Sequence, residues 1–171
     1  MKKFISVLLC AAAAISLSGC NTVSEDSSGP AQNSSESTAD EGEKYTAQEL
    51  AERALDSGEW PGMDFLTDQK FVSALLSEKI ILDDLEDYAL ASNVISAQLN
   101  KILVVKPKAD KAEAVQAAMD EYFDYVTTEG AFYPEQQASA AGSVSGKTPG
   151  GYIYIIVHEN GAEIADAMLA G

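Results

Sequence analysis

The chain has 171 residues, a formal net charge of −16 and an isoelectric point of about 4.2. So acidic a surface excludes nucleic acid as a partner, and it excludes electrostatic docking on anionic lipid, because both are polyanions. The charge is compatible with cationic ligands, basic partner proteins or divalent cations. Most of it is expected to serve solvation, so charge alone assigns no function.

An export signal is predicted over residues 1–19. It begins with two lysines, continues as an uncharged apolar run from Phe4 to about Ser16, and ends in the lipobox Leu17-Ser18-Gly19-Cys20. The apolar run is shorter than the roughly 20 residues of a membrane-spanning helix. We therefore predict that Leu17, Ser18 and Gly19 form the signal cleavage site and that cleavage occurs before Cys20. We also predict that Cys20 is lipidated, so that a diacylglycerol anchors the protein on the outer face of the cell membrane.

A linker and one domain follow the signal. Residues 20–44 comprise the lipidated cysteine and an acidic, serine-rich segment without aromatic residues, which is predicted to be disordered. Residues 45–171 are predicted to form a single domain. The only other cysteine, Cys10, lies in the signal, so this domain is expected to have no disulfide.

The first half of the domain begins with two helices. The capping box Thr46-Ala47-Gln48-Glu49 predicts a helix that Gly58 ends, and a second short helix is expected from about Thr67 to Leu76. An acidic turn, Asp83 to Asp87, leads into a strand over roughly residues 85–92.

A stronger strand is predicted from Lys101 to Lys106, ended by Pro107, because its centre is a continuous β-branched and apolar run. Asp110 is the expected cap of an amphipathic helix that reaches Val126. A small-residue segment from about Ala138 to Ser145 is predicted as an extended strand.

The strongest strand pattern is Tyr152 to Val157, after a turn region at Gly146 to Gly151. Asn160 is the expected cap of a final helix. Two successive strand-strand-helix units predict a two-layer α+β fold. Its antiparallel four-stranded sheet would have helices packed on one face, and one or two N-terminal helices would precede the sheet in the chain.

Three features of the sequence are candidates for chemistry. Ser145-Gly146-Lys147-Thr148 lacks the upstream glycine spacing of a phosphate-binding loop, so a hairpin loop is predicted. His158 is expected to be an exposed strand end, with a pH-sensitive binding contact as the alternative. Acidic clusters at 83–87 and 120–124 are interpreted as solvated surface, with a hard cation site as the alternative. We therefore predict no catalytic residue, no metal ligand and no cofactor.

Four aromatic residues are candidates for a ligand surface: Trp60, Tyr133, Tyr152 and Tyr154. Tyr152 and Tyr154 alternate with Ile153 and therefore share one face of their strand. Packing in the core or at a sheet edge is the favoured alternative for all four.

The chain resembles a family of small lipoproteins from Gram-positive, clostridia-like bacteria that carry a domain of unknown function, number four-three-five-eight in the usual series. The resemblance rests on the lipobox, the acidic spacer and three features of the domain: the helix Asp110–Val126, the segment Tyr133-Pro134-Glu135-Gln136 and the strand Gly151–Val157 before a short terminal helix. It covers most of Met63 to Gly171. It implies an anchored domain on the outer membrane face and supplies no catalytic residues.

The sequence therefore favours a non-catalytic binding or envelope-assembly module whose partner is an envelope protein or a small ligand. The alternative is a hydrolase of cell-envelope polymers that uses paired carboxylates. Carboxylates that face each other across a cleft would favour the hydrolase over the binding module.

Overall fold

The computed structural model describes residues 45–93 and 98–170. The predicted signal, the lipidation site Cys20 and the predicted linker lie outside the described residues. Within that part of the chain, five strands form one antiparallel sheet in the order β1-β2-β3-β5-β4. The strands are β1 Met63–Phe65, β2 Leu85–Asn93, β3 Lys101–Pro107, β4 Val144–Lys147 and β5 Ile153–Val157.

Helices cover both faces of this sheet. They are α1 Ala47–Asp56, α2 Gln69–Leu75, α3 Ala112–Thr127, α4 Pro134–Gly142 and α5 Gly161–Leu169. Helices α1 and α5 pack on one face, α2 and α3 pack on the other, and α4 contacts both α3 and α5. The α+β class is confirmed, but the predicted four-stranded sheet with helices on one face is wrong on both points.

The central strands explain the two covered faces. In β3, Ile102 and Val104 contact the α1 and α5 side, whereas Leu103 and Val105 contact the α2 and α3 side, and all four are fully buried. Strand β5 repeats this alternation and is buried along its whole length. A strand with no polar face has to be covered twice, which is why these runs are continuously apolar.

The sequence prediction is wrong at two strands, for different reasons. The segment from Ala138 to Ser145 is mostly helix α4, with Pro134 at its first helical positions and alanines, which favour helix, in its interior. Only Val144 to Lys147 is extended there. Strand β1 was missed because it has three residues and takes its conformation from pairing with β2.

Some of the predicted helix caps are confirmed, and others are wrong. The capping box of α1 is present: the Glu49 amide donates to Thr46 Oγ1 at 3.2 Å, and the Thr46 amide donates to Glu49 Oε2 at 2.7 Å. Hydrogen bonds from the Thr46 backbone and hydroxyl hold the pKa of Glu49 below its usual range. Asn160 is the N-cap residue of α5, as predicted, but its side chain makes no capping hydrogen bond. Asp110 does not cap α3, which instead follows the 3-10 turn Ala109–Lys111.

The start of α1 is also tied to the sheet by a carboxylate of β2. Asp87 Oδ2 accepts the Ala47 amide at 2.7 Å and the Tyr152 hydroxyl at 3.3 Å. One side chain of the acidic cluster therefore joins α1 to the residue just before β5, which is a structural role rather than a solvated one.

A buried lysine lies at the start of β3. Lys101 is 9% exposed, and its Nζ donates to the Tyr122 hydroxyl, which in turn donates to the Leu75 carbonyl at 3.1 Å. Among the described residues no carboxylate pairs with Lys101. Burial lowers the pKa of Lys101 to about 8, and burial raises the pKa of Tyr122. The amine therefore occupies a site that disfavours its charged form.

We expect Lys101→Met to stabilise the protein. At pH 7 the charged amine destabilises the folded state by up to about 3 kcal/mol, the equivalent of the lowered pKa, and methionine removes that cost. In the wild type, stability should rise between pH 8 and 10, because the folded state loses the Lys101 proton before the unfolded state does. Above that range Tyr122 should lower the stability as pH rises, because folding raises its pKa and the unfolded state therefore loses the Tyr122 proton first.

Urea denaturation of both proteins across this pH range measures the effect. Lys147→Met, which removes the same charge from an exposed strand residue, is the matched control and should leave the pH dependence unchanged. Two results would contradict a destabilising charge on Lys101: a Lys101→Met protein that is less stable than the wild type at pH 7, or one whose stability still rises between pH 8 and 10.

Candidate functional site

A cleft of about 730 Å³ lies at the end of the sheet where β3 begins and β5 ends. Four segments line it: the end of α1 with the residues that follow it (56–59 and 61), residues 98–100 before β3, the first half of α4, and residues 158–160 between β5 and α5. Its volume falls within the range of about 300–1,000 Å³ that is usual for small-molecule sites. The cleft is therefore large enough for a ligand.

The ionisable groups of the cleft are almost all acidic. Its carboxylates are Asp56, Glu59, Glu135 and Glu159, all on exposed residues, and none of the described lining residues is a lysine or an arginine. Amide and hydroxyl groups supply the other polar contacts, from Ser57, Gln98, Asn100, Ser139 and Asn160. The lining therefore creates a negative potential with hydrogen-bonding groups around it.

His158 forms part of the cleft wall, and both its ring nitrogens are engaged. It is 7% exposed, its Nδ1 accepts the Asn160 amide at 3.0 Å, and its Nε2 lies 3.2 Å from the Glu59 carbonyl. Because Nδ1 accepts from a backbone amide, Nε2 is the ring nitrogen that donates, and its partner is the Glu59 carbonyl. The expectation of an exposed strand end is wrong, because the segment after α1 folds over His158.

Trp60 packs behind this histidine. The two ring centroids are 4.5 Å apart at 53°, and the indole Nε1 donates to the Ala54 carbonyl at 3.2 Å. A Cβ on Gly58 would lie 2.7 Å from Trp60 Nε1 and 2.9 Å from the side chain of Ile164. Glycine at this position lets the chain turn back closely enough to bring Glu59 over His158.

Close backbone contact fixes the opposite wall. A Cβ on Gly142, the last residue of α4, would lie 2.0 Å from the Glu159 carbonyl oxygen, so no other residue fits there without moving the backbone. Ser139 Oγ also bonds to Asn100 Oδ1 at 3.1 Å, which joins α4 to the start of β3. The helix that carries Glu135 and the turn that carries Glu159 are therefore held against each other.

The four predicted aromatic residues do not share one surface. Trp60 is partly buried beside the cleft, and Tyr133 is exposed at the N-terminal cap of α4. Tyr152 and Tyr154 are buried in the core beneath α1 and α5. Burial raises the pKa of Tyr154, and the nearby Asp166 carboxylate adds to the effect.

Sequence reasoning missed the acidic residues of the cleft. Asp56 and Glu159 are separated by most of the domain, and no spacing signals that they line one cavity. Two weak signals existed: Glu159 follows the only histidine, and Glu135 lies in the Tyr133-to-Gln136 segment.

The remaining motifs have structural roles. Lys147 ends β4, and the Thr148 amide donates to the Tyr152 carbonyl at 2.9 Å in the hairpin turn that follows. Asp84 forms an ion pair with Lys111 at 3.1 Å, and Asp120 accepts a hydrogen bond from Gln116.

Within residues 45–93 and 98–170, no three histidine, cysteine or carboxylate side chains are grouped as metal ligands. In the same ranges no helix has the length and hydropathy to cross a membrane.

These features define an α+β domain with a sheet between two helical layers and an acidic cleft at one sheet end. Residues 78–158 match the model of the family described as Domain of unknown function (DUF4358). The resemblance to this domain family is thus confirmed, and the chain contains the domain over that span, while the bacterial lipoprotein context stays a prediction. Searches of curated proteins and of solved structures found no match. The family span includes Glu135 and His158, whereas Asp56, Glu59 and Trp60 precede it.

We expect His158→Phe to lower the free energy of unfolding, because it removes the hydrogen bonds that hold the cleft wall together. Phenylalanine keeps a ring against Trp60 but leaves the Asn160 amide and the Glu59 carbonyl without their partner, at a cost of about 1–3 kcal/mol. Urea denaturation followed by fluorescence measures this, since Trp60 is the only tryptophan. Glu159→Gln, a change of the neighbouring exposed side chain, should alter stability far less. Equal stability of His158→Phe and wild type would refute the role given to the two hydrogen bonds.

Proposed function

We propose that this protein is a lipid-anchored, extracytoplasmic binding module whose cleft takes an organic cation. One observation carries the proposal: polar groups from four segments converge on a cavity of ligand size, and among its described lining residues the acidic side chains have no lysine or arginine beside them. Amino groups of a ligand would gain Coulomb energy from these carboxylates and donate hydrogen bonds to the amide and hydroxyl oxygens.

Binding is favoured over catalysis by the state of the polar groups. Both nitrogens of His158 are used by backbone groups, so the ring is not free to act as a base. Ser139 is hydrogen-bonded to Asn100 rather than to a base. Within the described residues the cleft therefore lacks the nucleophile and base pair that covalent catalysis needs.

The proposed anchor would place the cleft outside the cell membrane. A diacylglycerol on Cys20 would hold the chain, and a flexible linker to residue 44 would give a reach of roughly 25–30 Å. The acidic residues of that linker would keep the domain away from an anionic bilayer. The cleft would then meet ligands or partners in the cell envelope.

Removing cleft carboxylates should weaken cation binding. With spermidine as the probe, Glu59→Gln and Glu135→Gln are each expected to lower the affinity about fivefold, near 1 kcal/mol for an exposed charge pair. The affinity should also fall as salt rises. Calorimetry measures binding, and the fluorescence of Trp60, which packs against His158, reports it at the site.

The control for this experiment changes the same charge elsewhere. Glu113→Gln and Asp124→Asn neutralise exposed carboxylates of α3 outside the cleft and should keep the wild-type affinity. If these two variants lose as much affinity as the cleft variants, the cation is held by net charge and the cleft is not its site. If wild-type protein does not bind spermidine at low salt, the proposal fails.

Replacing Cys20 with serine should release the protein from membranes. The change removes the thiol that forms the thioether to the lipid, and two acyl chains are what makes such anchoring stable. Fractionation of cells that produce the full chain measures the outcome. A Cys20→Ser protein that remains with membranes after a high-salt wash would refute the anchor.

A hydrolase of cell-envelope polymers is the second candidate. It is favoured by one observation: Glu59 and Glu135 come from different segments of the cleft lining rather than from one helix. Two carboxylates placed across a cleft are the arrangement that acid–base hydrolysis requires. Cleavage of purified envelope polymer by wild type, abolished by either Glu59→Gln or Glu135→Gln, would favour this function over binding alone.

A further inference from the structure

Two exposed aromatic residues precede helix α4. Phe132 is 78% exposed and Tyr133 is 60% exposed, and among the described residues they are the most exposed of the large apolar side chains. Leaving two aromatic rings in water forfeits the free energy that burial would give. An adjacent pair of exposed rings is therefore a candidate contact surface.

The backbone beneath this pair is fixed by a buried side chain. Gln136 is almost fully buried, and its Oε1 accepts the Phe132 amide at 2.9 Å and the Tyr133 amide at 3.1 Å. Pro134, which follows directly, restricts the backbone at the helix start. The two rings therefore project from a pre-organised segment, which lowers the entropy cost of binding.

The aromatic pair adjoins the acidic cleft along the chain. Tyr133 caps α4, Glu135 lies in the first turn of that helix, and Glu135 and Ser139 both line the cleft. A single helix start thus carries two exposed rings and a cleft carboxylate. Neither ring is among the residues that line the cleft, so a ligand must extend past Glu135 and around the helix start to reach them.

We propose that the cleft and the aromatic pair together bind a basic peptide segment of another protein, with apolar side chains between its lysines or arginines. This inference rests on the proposed function and names the class of cation. The carboxylates would take the amino or guanidinium groups, while Phe132 and Tyr133 would cover the apolar side chains and add cation–π contacts.

Other occupants fit this surface less well. A polyamine satisfies the carboxylates but has no apolar side chain to cover the rings. The chain's own residues 21–44 are acidic and contain no aromatic residue, so they would be repelled from the cleft. An anionic lipid surface would be repelled by the same charge.

A matched pair of peptides tests the inference on the full chain. One peptide alternates lysine with leucine, and the other alternates lysine with serine at the same length and charge. The leucine peptide is expected to bind about tenfold tighter. Phe132→Ser and Tyr133→Ser, each on an exposed side chain, should reduce the affinity for the leucine peptide towards that for the serine peptide.

Ile81→Ser is the control, because Ile81 is 58% exposed but lies before β2, at the sheet end away from the cleft. It should keep the tenfold preference. Equal affinity for the two peptides, together with normal spermidine binding, overturns this inference and leaves the proposed function standing. Loss of spermidine binding as well overturns both. Wild-type binding to neutral phosphatidylcholine vesicles that Phe132→Ser abolishes, without a peptide preference, would assign the rings to lipid and overturn the peptide.

Discussion

Strands β3 and β5 have no polar face, and covering them on both sides is the constraint on which the rest of this fold depends. Ile102 and Val104 need α1 and α5, while Leu103 and Val105 need α2 and α3. The N-terminal helix is therefore part of the core, although the family match begins only at residue 78. Polar groups that cannot enter such a core collect at the ends of the sheet.

The cleft follows from that arrangement at one sheet end. The segment after α1 has to return to the sheet edge as β1, and on the way it passes over the end of β5, where Glu59 and Trp60 meet His158. On the other side, Gly142 allows α4 to touch the turn at Glu159. The segment that crosses over His158 and the close backbone approach of Gly142 to Glu159 thus bring together acidic residues that are distant in the chain. This shared negative wall is the physical basis of the proposed cation binding.

The elements predicted best were those with a strong local signal. The capping box of α1 satisfies its own amides, and the apolar runs of β3 and β5 can be stable only as buried strands. The elements that were predicted wrongly lack such a signal. Strand β1 exists through its pairing with β2, and the alanine-rich segment at α4 has no periodic apolar face to distinguish helix from strand.

Composition and local periodicity were enough to predict the acidic charge, the α+β class and the main strands, while the domain family followed from the resemblance of particular segments. The second helical layer, the burial of His158 and the position of Glu59, Glu135 and Glu159 around one cavity are properties of the folded chain. The reason is physical: a carboxylate has the same local preference for solvent whether it faces bulk water or a cleft. Its neighbours across the cavity are set by chain crossings that no local pattern records.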